Sequence, residues 1–501
     1  MTHPSPQQRS FIAKAGVMLE GLGPDGGMRL RHDVAIRVED GVIAQIGPLP
    51  GLVEGHEQLP QFGGPGMVAM PGLVNAHHHF GVTPLMNGVP FAPLEFWLPQ
   101  FRAKRQVGTR LDTLFSAIEM LESGVTATHH IASGLVGGRE DWNRAADETL
   151  AAYDEIGMRV GYSAMLRDQN ILHYDGDAAV LAAMPEAARA WFAARLHPTG
   201  GSVRAYAGFH DALRARHAAN PAVRINYAPA NLHWCSDALL EFVAGDARAA
   251  GAQVHMHLAE TERQAAHARR RFGRSAVARL RDLGLLGPNV TLGHCNWLDP
   301  GDVEMLADCG CTVCHNASSG QRLGSGKADV PALRRGAVPV ALGIDQSTIA
   351  DDRDMLLEMK LAWALNRGTQ LHETGPDAAA VIGMATETGA ATLGFGGLAG
   401  RLECGMRADM VLLSRERLEH PYVDPRVPVA ELILHRARPG AVAHVFVDGR
   451  QVVAGGRVIT IDREAVFAGI RARLAAPWSD REREAAEMVA AAMPAIRRAH
   501  A

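Results

Sequence analysis

Lysine is nearly missing from this 501-residue chain. It stands only at Lys14, Lys104, Lys327 and Lys360, so nothing between residues 105 and 326 is a lysine. Long apolar runs are missing as well. No stretch approaches ~18 uncharged apolar residues, and the polar start Met1 to Ser10 has no apolar signal core, so a cytoplasmic protein without a membrane anchor is expected. Cysteine is scarce at 6 residues, too few for a disulfide framework in so long a chain. Three of them crowd into Cys309-Gly310-Cys311-Thr312-Val313-Cys314. A zinc knuckle on Cys311, Cys314 and His315 lacks its second Cys pair, and plain strand cysteines are the better reading. A large excess of charge of either sign is absent too. A net charge of -4 and short basic runs such as Arg269-Arg270-Arg271 offer no field for nucleic acid or anionic membrane.

Several catalytic signatures are also lacking. Gly324-Ser325-Gly326-Lys327 has neither the spacing nor the following Ser/Thr of a phosphate loop. Gly394-Phe395-Gly396 follows a helical pattern rather than a strand, which makes it a poor dinucleotide site. No Gly-x-Ser-x-Gly elbow exists, which argues against a serine nucleophile.

What remains is an ordinary globular composition, 47% hydrophobic and 21% charged, in a chain long enough for roughly two to four domains. Residues 1–66 read as short alternating strands separated by Asp-Gly and Pro-Gly turns, and the same grammar returns in residues 401–462. Each part is too thin to stand alone, so the two ends are expected to share one small β-unit. Between them, over residues 67–400, apolar strand candidates alternate with helical periodicity. The strands are Met67–Asn75, Gly124–Ile131, Met158–Met165, Val223–Ala228, Gln253–Leu258, Val290–Gly293, Thr312–His315 and Pro339–Ile344, with helices such as Leu111–Glu122 and Arg263–Leu283 between them. Eight such units predict a closed parallel (β/α)8 barrel whose chemistry gathers at the strands' carboxyl ends. Residues 463–501 read as a helical tail.

The stretch Pro71-Gly72-Leu73-Val74-Asn75-Ala76-His77-His78-His79 ends a strand in three imidazoles. Alternation turns His77 and His79 one way and His78 the other, and two imidazoles on one face form half of a divalent metal site. The other half is expected in Val254-His255-Met256-His257-Leu258-Ala259-Glu260, where His257 ends a strand and Glu260 follows on the loop. His294 and Asp345 close the sixth and eighth strand candidates. A buried carboxylate such as Asp345 costs several kcal/mol, roughly the scale that demands a partner or a metal. His255 shares a face with His257 and reads as a structural hydrogen-bonding residue.

These segments, with His294-Cys295-Asn296-Trp297-Leu298-Asp299, Arg322-Leu323-Gly324-Ser325-Gly326 and Leu342-Gly343-Ile344-Asp345, resemble the metal-dependent amidohydrolase superfamily. The branch they are most similar to contains cytosine, guanine and adenosylhomocysteine deaminases and the triazine hydrolases. The resemblance implies a distorted (β/α)8 barrel flanked by a small β-sandwich built from both chain ends. It also implies His77, His79, His257 and Asp345 as ligands to one divalent metal per subunit, zinc first, with iron, manganese or cobalt as alternatives. Glu260 would be the proton shuttle and His294 a hydrogen-bonding partner of substrate or water. Binuclear members bridge their metals through a carboxylated lysine on a middle strand, and the lysine gap favours one metal. Relatives are commonly dimers or larger.

Those implications predict a hydrolase of non-peptide carbon–nitrogen bonds that deaminates a heterocyclic small molecule. Hydrolysis of an N-substituted urea, carbamate or amide is the alternative within enzymology, and a metal-free scaffold is the rival from another class. Nucleoside-type relatives carry an acidic residue that grips ribose hydroxyls, where this chain has Phe91-Ala92-Pro93. A flatter, more apolar substrate is therefore expected. Phe91, Trp97, His130, Asn231, His233 and Asn316 are the candidate substrate contacts.

Overall fold

The computed structural model describes residues 9–133, 138–196, 203–346, 348–368 and 375–501. Strands β1 (Phe11–Leu22), β2 (Met28–Glu39), β3 (Val42–Pro48) and β4 (Gln61–Pro71) open the chain. A second group follows: β5 (Leu73–His78), β6 (Val125–Ala132), β7 (Arg159–Leu166), β8 (Val223–Ile225), β9 (Ala228–Pro229), β10 (Val254–Leu258), β11 (Val290–His294), β12 (Thr312–His315) and β13 (Val340–Leu342). The chain returns to strand at β14 (Met410–Ser414), β15 (Val442–Val447), β16 (Arg450–Ala454) and β17 (Arg457–Val458).

The two chain ends form one 8-stranded sheet in the order β17-β16-β15-β14-β4-β1-β2-β3. The join is antiparallel, with Met410 of β14 opposite Pro71 and Ser414 opposite Met67 of β4. Phe11 on β1 and Phe446 on β15 lie three strand steps apart, about 14 Å in a flat sheet. Their ring centroids are nevertheless 4.5 Å apart, so the sheet curls onto itself around a small apolar core.

The middle strands form two parallel arcs, β5-β6-β7-β8, with β9 also paired to β7, and β10-β11-β12-β13. Tyr227 bridges Val254 at one seam, where its N–H donates to Gln253 O at 2.9 Å and its carbonyl accepts from His255 N at 2.8 Å. At the other seam the Asn75 side-chain oxygen accepts from Ile344 N at 2.9 Å and His77 N at 3.2 Å, while Asp345 N donates to His77 O at 2.7 Å. The result is a distorted (β/α)8 barrel, its fourth strand broken into β8 and β9. The strands are buried on both faces, as parallel strands under a coat of helices must be. Arg159 at the start of β7 ties the barrel to the small sheet, with Nε 2.7 Å and Nη2 3.0 Å from the Asp409 carboxylate. The paired charges fill each other's hydrogen-bonding capacity in a site where Arg159 is fully buried.

Two sequence expectations need correcting. Met67–Asn75 is not one strand: Met67–Pro71 belongs to β4 of the small sheet, and the barrel begins at Leu73. The chain changes sheet at Gly72, where an added Cβ would lie 2.1 Å from Thr126 Oγ1. The helix expected over 263–283 is two helices, Glu262–Phe272 and Ala276–Asp282. Gly273 ends the first at φ 67°, and the Ser275 side chain caps the second by accepting from Ala278 N.

Candidate active site

Strand alternation carries His77 and His79 to the carboxyl end of the barrel and sends His78 outward, against the His130 ring. His257 arrives from β10, His294 from the end of β11, and Asp345 from the turn beyond β13. Gly343 lets that turn pass, because an added Cβ would meet Asn316 Oδ1 and His77 Cβ, each at 2.4 Å. His294 and Asp345 lie in left-handed backbone at φ 70° and 62°, a conformation costly for non-glycine residues and concentrated at functional sites.

His79 Nε2 lies 3.2 Å from both His77 Nε2 and His257 Nε2, and Asp345 Oδ1 is 3.4 Å from His79 Nε2 and 3.6 Å from His77 Nε2. The opposite ring nitrogens are engaged elsewhere. His79 Nδ1 donates to Ile131 O at 3.0 Å and His257 Nδ1 to Ala230 O at 2.8 Å. A carbonyl only accepts, so both rings carry their proton on Nδ1 and turn lone pairs toward each other at Nε2. Two facing lone pairs repel unless a cation lies among them, and this outer-partner pattern is typical of metal-ligating histidines. The donor set therefore fits a divalent cation: the ligand atoms of His77, His79 and Asp345 lie within 4.8 Å of one another, and so do those of His77, His257 and His294.

Burial, followed by neighbouring imidazoles, pushes His77 well below the usual histidine range, and the same causes bring His257 down to about 3. His294 is lowered to about 4, chiefly by burial. All are thus neutral rings with a lone pair to give. Burial raises the Asp345 carboxyl, but His294, His79 and the Ser319 hydroxyl, 2.6 Å from Oδ2, outweigh it and hold the group below its ordinary value. Glu260 goes the other way, raised well above the usual carboxyl range by burial, then by Asp345 and Glu95. His294 Nε2 is 3.9 Å from both Glu260 Oε2 and Asp345 Oδ2.

These groups open into a cavity with an empty volume of about 930 Å³, open to solvent, whose walls include Leu94, Trp97, Phe101, Met165 and Trp234. Among the six candidate substrate contacts, Trp97 lines this cavity. Phe91 is 56% exposed and stacks on Arg322, with the guanidinium 4.3 Å from the ring centroid. His130 bonds Tyr153 Oη at 3.0 Å and lines a neighbouring pocket that shares His79, Phe80 and Lys104 with the cavity. Asn231 is engaged by Gln264 at 2.9 Å, and His233 packs between Tyr174 and Trp234. Asn316 Nδ2 lies 3.4 Å from each His294 ring nitrogen and positions that ring. Glu95 lies outside the cavity, where it accepts from Tyr174 Oη at 2.6 Å and Thr261 Oγ1 at 2.9 Å.

Sequence reasoning passed over Asn75, Ser319, Gln264, Arg102 and Lys104. Asn75 lay inside the quoted histidine motif and could have been found there. Ser319 acts on Asp345, 26 residues away, and Arg102 and Lys104 line the cavity from outside the quoted motifs.

The amidohydrolase family model matches residues 68–452, and the chain belongs to that family, hydrolases of carbon–nitrogen bonds other than peptide bonds. A 5-methylthioadenosine/S-adenosylhomocysteine deaminase from Syntrophobacter fumaroxidans is 29% identical over 468 residues, 92% of this chain and 97% of that protein. A 5'-deoxyadenosine deaminase from Methanosarcina mazei is 30% identical, covering 89% and 93%. Among solved structures, an adenosine deaminase from Xanthomonas campestris with bound zinc is similar at a TM-score of 0.78 and 25% identity, covering 94% and 98%. A zinc complex of atrazine chlorohydrolase from Arthrobacter aurescens shares the fold at a TM-score of 0.77 and 19% identity, covering 93% and 100%. Among the described residues no helix is long and apolar enough to cross a membrane.

Proposed function

We propose that the protein is a metal-dependent aminohydrolase that releases ammonia from an amino-substituted heterocycle. The reading rests on one observation: Glu260, His294 and Asp345 converge beside the Nε2 atoms of three neutral, buried imidazoles. His77, His79, His257 and Asp345 would hold one divalent cation, with zinc the first choice because similar structures contain it. When bound, such a cation acts as a Lewis acid that makes water acidic near neutral pH.

The remaining steps belong to the chain's own side chains. Glu260 takes a proton from the attacking water and returns it to the departing nitrogen, so a C–O bond forms as the C–N bond breaks. Help of this kind is worth roughly 10²–10⁴-fold. His294, fixed by Asn316, donates to the charge that builds on the substrate. Ser319 orients Asp345. Trp97, Phe101 and Trp234 present apolar faces to a flat ring. With Glu95 engaged by Tyr174 and Thr261, no spare wall carboxylate among the described residues pairs ribose hydroxyls.

Relatives named for deamination of adenosine derivatives make 6-aminopurines the first class to assay. The test is ammonia release by the zinc-loaded protein from adenine, adenosine, 5'-deoxyadenosine and guanine, with phenylureas and carbamates in parallel. Ammonia from an aminoheterocycle with kcat/KM above about 10⁴ M⁻¹s⁻¹ is the expected result. Cleavage of ureas or carbamates alone would overturn the reading.

A further inference from the structure

The cavity that opens onto Glu260, His294 and Asp345 is also lined by three cations, Arg102, Lys104 and Arg167. For Lys104 and Arg102 the ordinary reason would be an ion pair with a protein carboxylate, and the carboxylates that act on them are hydrogen-bonded to backbone N–H groups instead. The carboxylate acting on Lys104 is Asp112, whose two oxygens accept from Gly81 N and Val82 N, both at 2.8 Å. The carboxylate acting on Arg102 and Arg167 is Asp177, which accepts from the backbone N–H groups of Ile171, Leu172 and His173. Among the described residues neither Lys104 nor Arg102 forms an ion pair. Lys104 Nζ instead lies 3.2 Å from the Phe80 ring centroid, directly after His79 in the chain. Burial brings Lys104 down to about 8, while burial and the Arg167 charge bring Arg102 down to about 10. Two cations without an ion pair of their own in a mainly apolar cavity favour a ligand that brings an anion.

We infer that the substrate carries an anionic group, a carboxylate or a phosphoryl, that is bound by Lys104 and Arg102 while its amino-bearing carbon faces the histidine cluster. This inference rests on the proposed aminohydrolase reading for the orientation of the substrate, but not for the existence of the anion subsite. It also narrows the substrate. The expected molecule is an apolar ring with a charged substituent, rather than a neutral nucleoside or an uncharged urea.

Calorimetric binding to the zinc-loaded protein tests the subsite without turnover, using benzoate, phenylphosphonate and the neutral isostere benzamide. One of the two anions is expected to bind at least about tenfold more tightly than benzamide, and the tighter one identifies the source of the charge. Lys104→Met and Arg102→Met should each remove most of that preference, whereas Lys104→Arg should keep it. Equal binding of anion and amide by the wild-type protein would overturn the inference. So would an anion preference that survives both methionine substitutions, because the anion would then be held by the metal alone. The wild-type comparison stands even if a variant fails to fold. A clear anion preference with no ammonia release from any heterocycle would refute the aminohydrolase reading and leave the subsite in place.

Discussion

At the residue scale, the site rests on side chains whose second contacts leave them little freedom. Glu260 is the group whose role is most separable from metal binding, since the Nε2 cluster and Asp345 do not depend on its charge. Glu260→Gln should retain the metal and lower kcat by about 10²–10⁴-fold, measured as ammonia release alongside metal content. Ser319 contributes through Asp345: removing its hydroxyl leaves Oδ2 without its 2.6 Å donor. Ser319→Ala should cost about tenfold in kcat or metal affinity, the lower end for outer partners of a metal site. The strand-end histidines, Glu260 and Asp345 were readable in the sequence because polar groups rarely terminate apolar strands without a purpose. Ser319 and Asn316 were harder to assign because each acts through a neighbour that is local only in space. Lys104 stood out in the sequence as one of very few lysines, yet nothing nearby in the chain indicated that it faces the cavity.

At the element scale, two joints control the geometry. The first is the seam between β5 and the turn after β13, where Asn75 replaces ordinary strand pairing. Asn75→Ala would strip Ile344 N and His77 N of their buried acceptor, at about 1–3 kcal/mol each, and urea unfolding should show the loss. The second is the terminal helix Asp480–Ala499, which packs its Val489, Ala492 and Ile496 face against Trp191 and Phe192. It also clamps the cavity wall: Arg497 sits 4.9 Å from the Phe96 ring centroid, and Arg105 Nε lies 3.1 Å from Glu482. Ile496→Ala removes a fully buried side chain and should cost about 2–5 kcal/mol. Because Phe96 lies on the helix Leu94–Gln100, which carries Trp97, KM should rise more than kcat falls. The helical tail was visible as periodicity, but its contact with the active-site wall was not, since the surfaces that meet are several hundred residues apart. The alternation of strands and helices, by contrast, is a local signal, and it marked out the barrel. It misplaced the first strand because a continuous apolar run hid the change of sheet at Gly72.

At the scale of the whole molecule, the interior holds an unusual number of imidazoles kept neutral by burial. His129, His130 and His315 are brought down to about 3 and His210 to about 4. Below pH 6.5 the unfolded chain takes up protons that these folded sites refuse. Their contribution to stability is therefore intact above about pH 6.5 and is lost as the pH falls toward 3–4. Glu119 and Glu358, pushed up to about 7 by burial, and Glu260, raised well above its ordinary value, act in the opposite direction, but they are fewer than the lowered imidazoles. The urea midpoint should thus fall between about pH 7.5 and pH 5. A midpoint that holds or rises would show that the buried rings are not neutral. The molecule as a whole exists to bring strand ends from four separate barrel units to one point, and that convergence is what the account stands on. Its most direct test is metal reconstitution: strip the protein with a chelator, add zinc in steps, and follow bound metal and ammonia release together. The account predicts activity that rises in proportion to metal and saturates at one ion per chain. Saturation at two ions, or full activity in the stripped protein, would contradict it.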